Sequence, residues 1–276
     1  MWLVYFARGD IAKVLPLTTY SKAQLLRIFA TSDIHIDFPD NLNWLRQLST
    51  QDYTDDLLIL AGDISHKTDL IQEAFERFGK SFARVCFIPG NHDLWVDKGP
   101  YSDSYQKWLY INQLAEDMGI ATRAIDWHGI SIIPLHSWYD FSFGKPGEKL
   151  RERWVDFEAI LWPEENIPPI HAYFDSLNES INEQQLTTRK ITFSHFMPRV
   201  DLLPPHLAQG DFFLTPVLGS KTLEQNVRRL APDVHIYGHH HVNTVQIKDN
   251  VRYFNNAFGY PNEGHFTEKL LKEISL

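Results

Sequence analysis

A single cysteine, Cys86, stands in 276 residues, so the chain can form no internal disulfide, and a reducing, cytoplasmic setting is expected. The same scarcity argues against a cysteine-rich structural metal site. No apolar run approaches the ~18 residues that suggest a membrane span. The stretch from Met1 to Ala7 lacks a basic lead, and its apolar core is too short for a secretory signal. Basic excess is missing too. The formal net charge of -9 disfavours stable nucleic-acid binding, although bound divalent cations would offset part of it locally. Internal repeats and low-complexity segments are also lacking. What remains is an ordinary globular composition, 43% hydrophobic and 22% charged, in a chain long enough to bury a full core.

Residues 1–26 read as an extension, either an extra edge strand or a tail. Beyond them, short apolar runs alternate with helical periodicity. Arg27–Thr31, Leu57–Ala61, Arg84–Ile88, Ile130–Leu135, Lys190–Phe193 and Val234–Tyr237 read as strands, and Val242–Ile247 and Val251–Phe254 as a closing pair joined at Asp249-Asn250. Helical spacing covers Asp40–Ser49, the stripe Ile71, Phe75, Phe78 and Phe82, about Ser102–Met118, about Ile170–Gln185, and Thr222–Leu230. From about 138 to 169 the pattern breaks into an insert carrying Trp138, Trp154 and Trp162 without periodicity. Strand–helix alternation with antiparallel strands at the end argues an α/β fold in one domain, 27–276.

Five of the apolar runs end in polar clusters: Asp33-Ile34-His35, Gly62-Asp63, Gly90-Asn91-His92-Asp93, Ser194-His195 and Gly238-His239-His240-His241. Open α/β sheets place their ligand sites just past the carboxyl ends of strands. Carboxylate, imidazole and amide oxygen are the donors that hard and borderline divalent metals take. Asp33 and His35 are two apart, so strand alternation would turn both to one side, and His239 and His241 repeat that spacing while His240 points elsewhere. With Asp63, Asn91 and His195 this makes seven candidate ligands, enough for two metals sharing Asp63. Any one of these residues could be a turn former, a helix cap or a core histidine. Their repetition after apolar strands makes the joint case.

Taken in order, these motifs resemble those of the calcineurin-like metallophosphoesterases, over about residues 27 to 256. The resemblance implies a four-layer α/β/β/α sandwich with a dinuclear centre between two sheets. It implies one metal held by Asp33, His35, Asp63 and His241, and a second by Asp63, Asn91, His195 and His239. It makes His92 the catalytic histidine, with Asp93 orienting it. Asn255-Asn256 and Gly259-Tyr260-Pro261 are similar to the closing segment of small bacterial phosphoesterases. The tyrosine that purple acid phosphatases carry after the Gly-Asp motif is missing, since Ile64-Ser65-His66 follows Asp63, so no iron–tyrosinate centre is expected. A double-strand-break nuclease of this superfamily is disfavoured by the missing basic surface.

The expected chemistry is hydrolysis of a small phosphomonoester or phosphodiester by a metal-activated hydroxide, without a phosphoenzyme. His92 would stabilise the phosphoryl charge or protonate the leaving group. Mn, Fe, Zn or Co would suit the mixed nitrogen and oxygen donors, with Mn favoured. The alternative is a metal-binding interaction scaffold on the same fold. Part of the insert from Trp138 to Trp162, with His136 at its base, is expected to rim the metals and to bring its aromatics, with Arg151 or Arg153, to the leaving group.

Overall fold

A computed structural model describes residues 27–96, 100–163, 167–208 and 212–276. The expected extension at 1–26 lies outside the described residues. In chain order the elements are β1 (Ile28–Thr31), α1 (Pro39–Gln47), β2 (Tyr53–Leu60), α2 (Thr68–Ser81), β3 (Phe82–Phe87), α3 (Ser104–Asp117), β4 (Ile125–Trp127) and β5 (Ile130–Pro134). Then come α4 (Glu148–Arg153), α5 (Asp156–Ala159), α6 (Ile170–Glu179), β6 (Arg189–Phe193), α7 (Pro205–Ala208), α8 (Lys221–Leu230), β7 (Val234–Tyr237), β8 (Thr244–Lys248), β9 (Val251–Asn255) and β10 (Lys272–Glu273).

The strands form a four-stranded sheet, β10-β1-β2-β3, and a six-stranded sheet, β4-β5-β6-β7-β9-β8. Side chains alternate between the faces of a strand, and that alternation builds the layers. Ile28, Ala30, Leu57, Ile59, Cys86 and Ile88 from the first sheet meet Ile132, Ile191, Phe193, Val234, Ile236 and Phe254 from the second in one buried cluster. The intervening residues Phe29, Leu58, Leu60, Val85 and Phe87 join Leu45, Ile71, Phe75 and Phe78 of α1 and α2, while Ile133, Tyr237 and Tyr253 join Leu223, Val227 and Leu230 of α8. Two sheets face each other with helices outside both, as the expected sandwich requires. Each large apolar side chain buried this way stabilises the fold by ~1.5–3 kcal/mol.

β1, β2 and β3 run parallel to one another, as do β5, β6, β7 and β9. The two sheets are stitched at one end. Ser32, just past β1, bridges Ala257, just past β9, and Phe258 and Gly259 donate backbone N–H bonds to the carbonyls of Ser32 and Asp33.

The expected elements are present with shifted edges. Phe82 opens β3 instead of closing the helical stripe, because α2 passes into the strand without a loop. The helix from Ile170 ends at Glu179, and a separate 3-10 turn, Glu183–Gln185, follows, with the Asn182 side chain accepting from the Gln184 N–H. The insert holds two short helices, α4 and α5, that periodicity could not show in so few residues.

Candidate metal centre

The candidate ligands sit just past the carboxyl ends of β1, β2, β3, β6 and β7. Strand alternation is not what aims them. Asp33, His35, Asp63, His239 and His241 all have left-handed backbones, with φ of 53°, 38°, 57°, 73° and 48°. Left-handed non-glycine residues are uncommon and gather at functional sites, where the surroundings must over-determine them. Here backbone bonds do so: the Asp33 N–H donates to Gly62 O at 2.8 Å, and the His35 N–H to Asp63 O at 3.1 Å. Two motif glycines are steric necessities. A Cβ on Gly90 would collide with the Asp63 carboxylate and stand 2.7 Å from the His195 ring, and one on Gly238 would stand 2.5 Å from Asp33 Oδ2.

All seven residues converge. Three groups have donor atoms within 4.8 Å of one another: Asp33 with His35 and His241, Asp63 with His35 and His92, and Asp63 with His195 and His239. Asp33, His35, Asp63, Asn91 and His195 are buried, while His239 and His241 are partly exposed. Asp63 lies between the groups. Its Oδ2 is 3.5 Å from His195 Nε2 and 3.9 Å from His35 Nε2. Its Oδ1 accepts the His92 N–H at 2.9 Å.

Whether a cation fits is decided by the tautomers. His195 Nδ1 is 2.9 Å from the Ala61 carbonyl, and His239 Nε2 is 3.1 Å from the Val217 carbonyl. A carbonyl only accepts, so those nitrogens carry the protons. The opposite nitrogens, His195 Nε2 and His239 Nδ1, then face each other as bare lone pairs 3.1 Å apart, with Asn91 Oδ1 3.0 Å from His195 Nε2. Three acceptors turned on one point repel one another unless a cation sits among them. Their separation is what ligands at ~2.1 Å from one ion would show. On the other side, His241 Nδ1 is 2.7 Å from Glu263 Oε2, and its Nε2 lies 3.1 Å from both Asp33 Oδ1 and His35 Nε2.

The electrostatics agree. Burial alone would keep His241 neutral, yet the Asp33 and Glu263 carboxylates outweigh it and raise the imidazole to about 9. Negative surroundings that favour an imidazolium also favour a metal cation. Burial, with Asp33 and Asp93 nearby, raises Asp63 well above the carboxylate range. Burial and the imidazoles of His241 and His195 lower His92 to about 3.

His92 stacks on Trp95, with ring centroids 3.8 Å apart, and its Nε2 lies 4.0 Å from Asp63 Oδ2 and 3.4 Å from the Tyr260 hydroxyl. The Asp93 carboxylate, expected to orient it, turns to the backbone. It accepts four backbone N–H groups, from Asp63 and Gly90 on Oδ2 and from Ile64 and Ser65 on Oδ1, at 2.8 to 3.1 Å. The loops after β2 and β3 are held together by that carboxylate instead.

Several partners escaped the sequence. Asp156, buried in α5, accepts from Asn91 Nδ2 at 2.9 Å and from Trp95 Nε1 at 2.6 Å, which turns the Asn91 carbonyl oxygen toward the centre. Glu263 and the Ala61 and Val217 carbonyls orient three histidines, and nothing in their local sequence announces it. The insert divides. Trp154 packs against His239 at 5.7 Å and Asp156 reaches Asn91, whereas Trp138 packs on Trp162 and Phe196. His136 stands away from the candidate ligands: its ring packs on Trp108 and Phe174, and it lines a cavity of about 610 Å³ that no candidate ligand borders. Arg151 and Arg153 are exposed. No helix among the described residues is long and apolar enough to cross a membrane.

Comparison with known proteins gives a match to the family described as Calcineurin-like phosphoesterase over residues 26–243. The chain is 24% identical over 260 residues, 86% of its length and 78% of the relative's, to the [acyl-carrier-protein] phosphodiesterase PptH of Mycobacterium tuberculosis. The crystal structure of phosphopantetheinyl hydrolase (PptH) from Mycobacterium tuberculosis superposes with a TM-score of 0.71 at 23% identity, covering 90% of this chain and 95% of that one. TT1561 of Thermus thermophilus superposes at 0.52 with 14% identity, covering 91% and 98%. At these identities the structural likenesses speak for the fold.

Proposed function

The chain belongs to the calcineurin-like phosphoesterase family, a family of metal-dependent hydrolases, and from that premise we propose that it is a dinuclear phosphodiesterase acting on phosphopantetheine joined to an acyl carrier protein. The carrying observation is the set of imidazole and amide lone pairs turned on one another around Asp63. Asp33, His35, Asp63 and His241 would hold one cation, and Asp63, Asn91, His195 and His239 the other. The diester class and the carrier come from the named activity of the mycobacterial relative.

Bound there, two divalent cations supply charge against the phosphoryl oxygens and lower the pKa of water to near neutrality. The protein's own part is orientation. Ala61, Val217 and Glu263 fix the ring faces of three ligands, and Asp156 fixes the amide of a fourth. His92, braced on Trp95 with Nε2 4.0 Å from Asp63 Oδ2, donates to the leaving oxygen. An anionic phosphodiester beside it raises the imidazole from its low value here, so that it can pass a proton to an alkoxide. No serine, threonine or cysteine is needed as a nucleophile.

The test is direct. The purified protein, loaded in turn with Mn, Zn, Fe or Co, is incubated with a phosphopantetheinylated acyl carrier protein, and the carrier's mass is followed. Loss of the phosphopantetheine group is expected, with stoichiometry near two metals per chain for the active form. An enzyme that hydrolyses aryl phosphates but leaves the carrier intact with every metal would sink the substrate, and one metal per chain at full activity would sink the dinuclear centre.

A further inference from the structure

Tyr260 enters the site from the loop after β9. Its backbone N–H donates to Glu263 Oε2 at 2.7 Å, the same oxygen that His241 Nδ1 meets at 2.7 Å. One carboxylate thus sets both a candidate ligand and this tyrosine. The ring lies over the candidate centre, 4.4 Å from the His35 ring and 4.9 Å from the His241 ring, with Phe38 at 5.3 Å on its outer side. Packing of that kind leaves the phenol one direction to point, and the hydroxyl ends 3.4 Å from His92 Nε2.

A phenol held by three rings and a backbone clamp, with its polar end beside the candidate catalytic imidazole, is more than filler. Two donors 3.4 Å apart can both lie ~2.8 Å from a single oxygen. His92 points at the leaving-group oxygen in the proposed reaction, so Tyr260 points at the same atom. We propose that Tyr260 is a catalytic residue of this site, its phenol a second hydrogen-bond donor to the leaving oxygen. The inference rests on the phosphoesterase reading above and deepens it. When the bond from phosphorus to the leaving oxygen breaks, its electron pair passes to that oxygen and the proton comes from His92. The Tyr260 O–H bond stays intact and supplies only a hydrogen bond, which strengthens as charge develops on the oxygen.

Tyr260→Phe keeps the ring and removes the donor. Wild type and variant are assayed on four substrates: aryl and alkyl monoesters, and aryl and alkyl diesters. The ester class that the wild type prefers tests the proposed function, and the aryl-to-alkyl contrast within that class tests Tyr260. A loss of ~10–100-fold in kcat on the alkyl ester is expected, the size of one hydrogen bond to a charged atom, with less than ~3-fold on the nitrophenyl ester. Metal content by elemental analysis should not change. In the metal-free protein, the His92 Nε2 resonance should shift in 15N NMR on losing its phenol partner. An alkyl rate within ~3-fold of wild type would overturn the inference. So would equal losses on both leaving groups, a fallen metal content, or an unmoved His92 resonance.

Discussion

The two halves of the proposed centre are held by different kinds of partner. Around Asp33, His35 and His241 the supporting group is a carboxylate, Glu263, and a second carboxylate, Asp33, is itself a candidate ligand. Around Asn91, His195 and His239 the supports on the imidazoles are neutral backbone carbonyls, and the amide is held by Asp156 from behind. The first half therefore has a carboxylate behind an imidazole, while in the second both imidazoles are aimed by neutral groups and the carboxylate stands behind the amide. A carboxylate behind an imidazole raises its basicity as a ligand, so the two positions should differ in how tightly they hold a metal.

The largest effect should come from removing what the halves share. Asp63→Asn should cost both metals, because Asp63 lies between the groups, and activity should fall further than in His35→Ala. Elemental analysis decides it: full stoichiometry in Asp63→Asn would remove the bridging role. Next in size is His92, which belongs to neither half. His92→Asn should lower kcat on an alkyl ester by ~10²–10⁴-fold and on an aryl ester modestly, with both metals retained. Equal losses on the two would assign His92 to the phosphoryl oxygens instead of the leaving group.

Striking one support at a time should separate the two metals. Glu263→Gln should weaken one metal and Asp156→Asn the other, each by ~10–100-fold in affinity. Stepwise chelation followed by metal analysis would resolve them. If both variants release metal alike, the asymmetry is wrong.

The smallest effect comes from a buried histidine outside either half. Ser194 Oγ donates to the Phe196 carbonyl, so His235 Nε2–H donates to Ser194, and Thr192 Oγ1–H donates to His235 Nδ1 at 2.8 Å. Burial of the ring lowers its pKa to about 3. The unfolded chain takes this proton near the usual ~6.5 and the folded chain does not, so stability is full above ~6.5 and is lost as pH drops toward about 3. At pH ~5 the loss should be ~2 kcal/mol. Denaturant unfolding at pH ~7 and ~5 would show a gap between wild type and His235→Gln that narrows by about that amount. An unchanged gap would mean His235 is protonated in the fold.

This contrast also explains what could be read from the sequence. Asp33, Asp63, Asn91, His195, His239 and His241 were legible because each follows an apolar run that had to be a strand. The reason for their aim was not. Strand alternation would have turned Asp33 and His35 to one side, but both lie past β1 with left-handed backbones, a state that depends on bonds to a distant loop. Asp156 and Glu263 were illegible for a related reason. They act across the fold, from a four-residue helix and a turn, where neither spacing nor periodicity leaves a mark. Asp93 is legible as part of a motif, but its four amide partners are not, because adjacency to His92 in the chain says nothing about where a carboxylate turns. β4 and β10, three and two residues long, are too short for a pattern of period two to show.

The carboxylate of Asp93 has a consequence for the life of the enzyme. By gathering the amides of Asp63, Ile64, Ser65 and Gly90, it closes the loops after β2 and β3 without calling on any metal. That part of the site is closed by the fold alone, and those two loops should keep their shape when an ion departs. Loops held this way should let one metal be traded for another without refolding, so the working metal is expected to follow what the cell supplies. Exchange of those four amide protons as slow after chelation as before it would register the difference, and fast exchange would mean that the metal, not Asp93, keeps the socket closed.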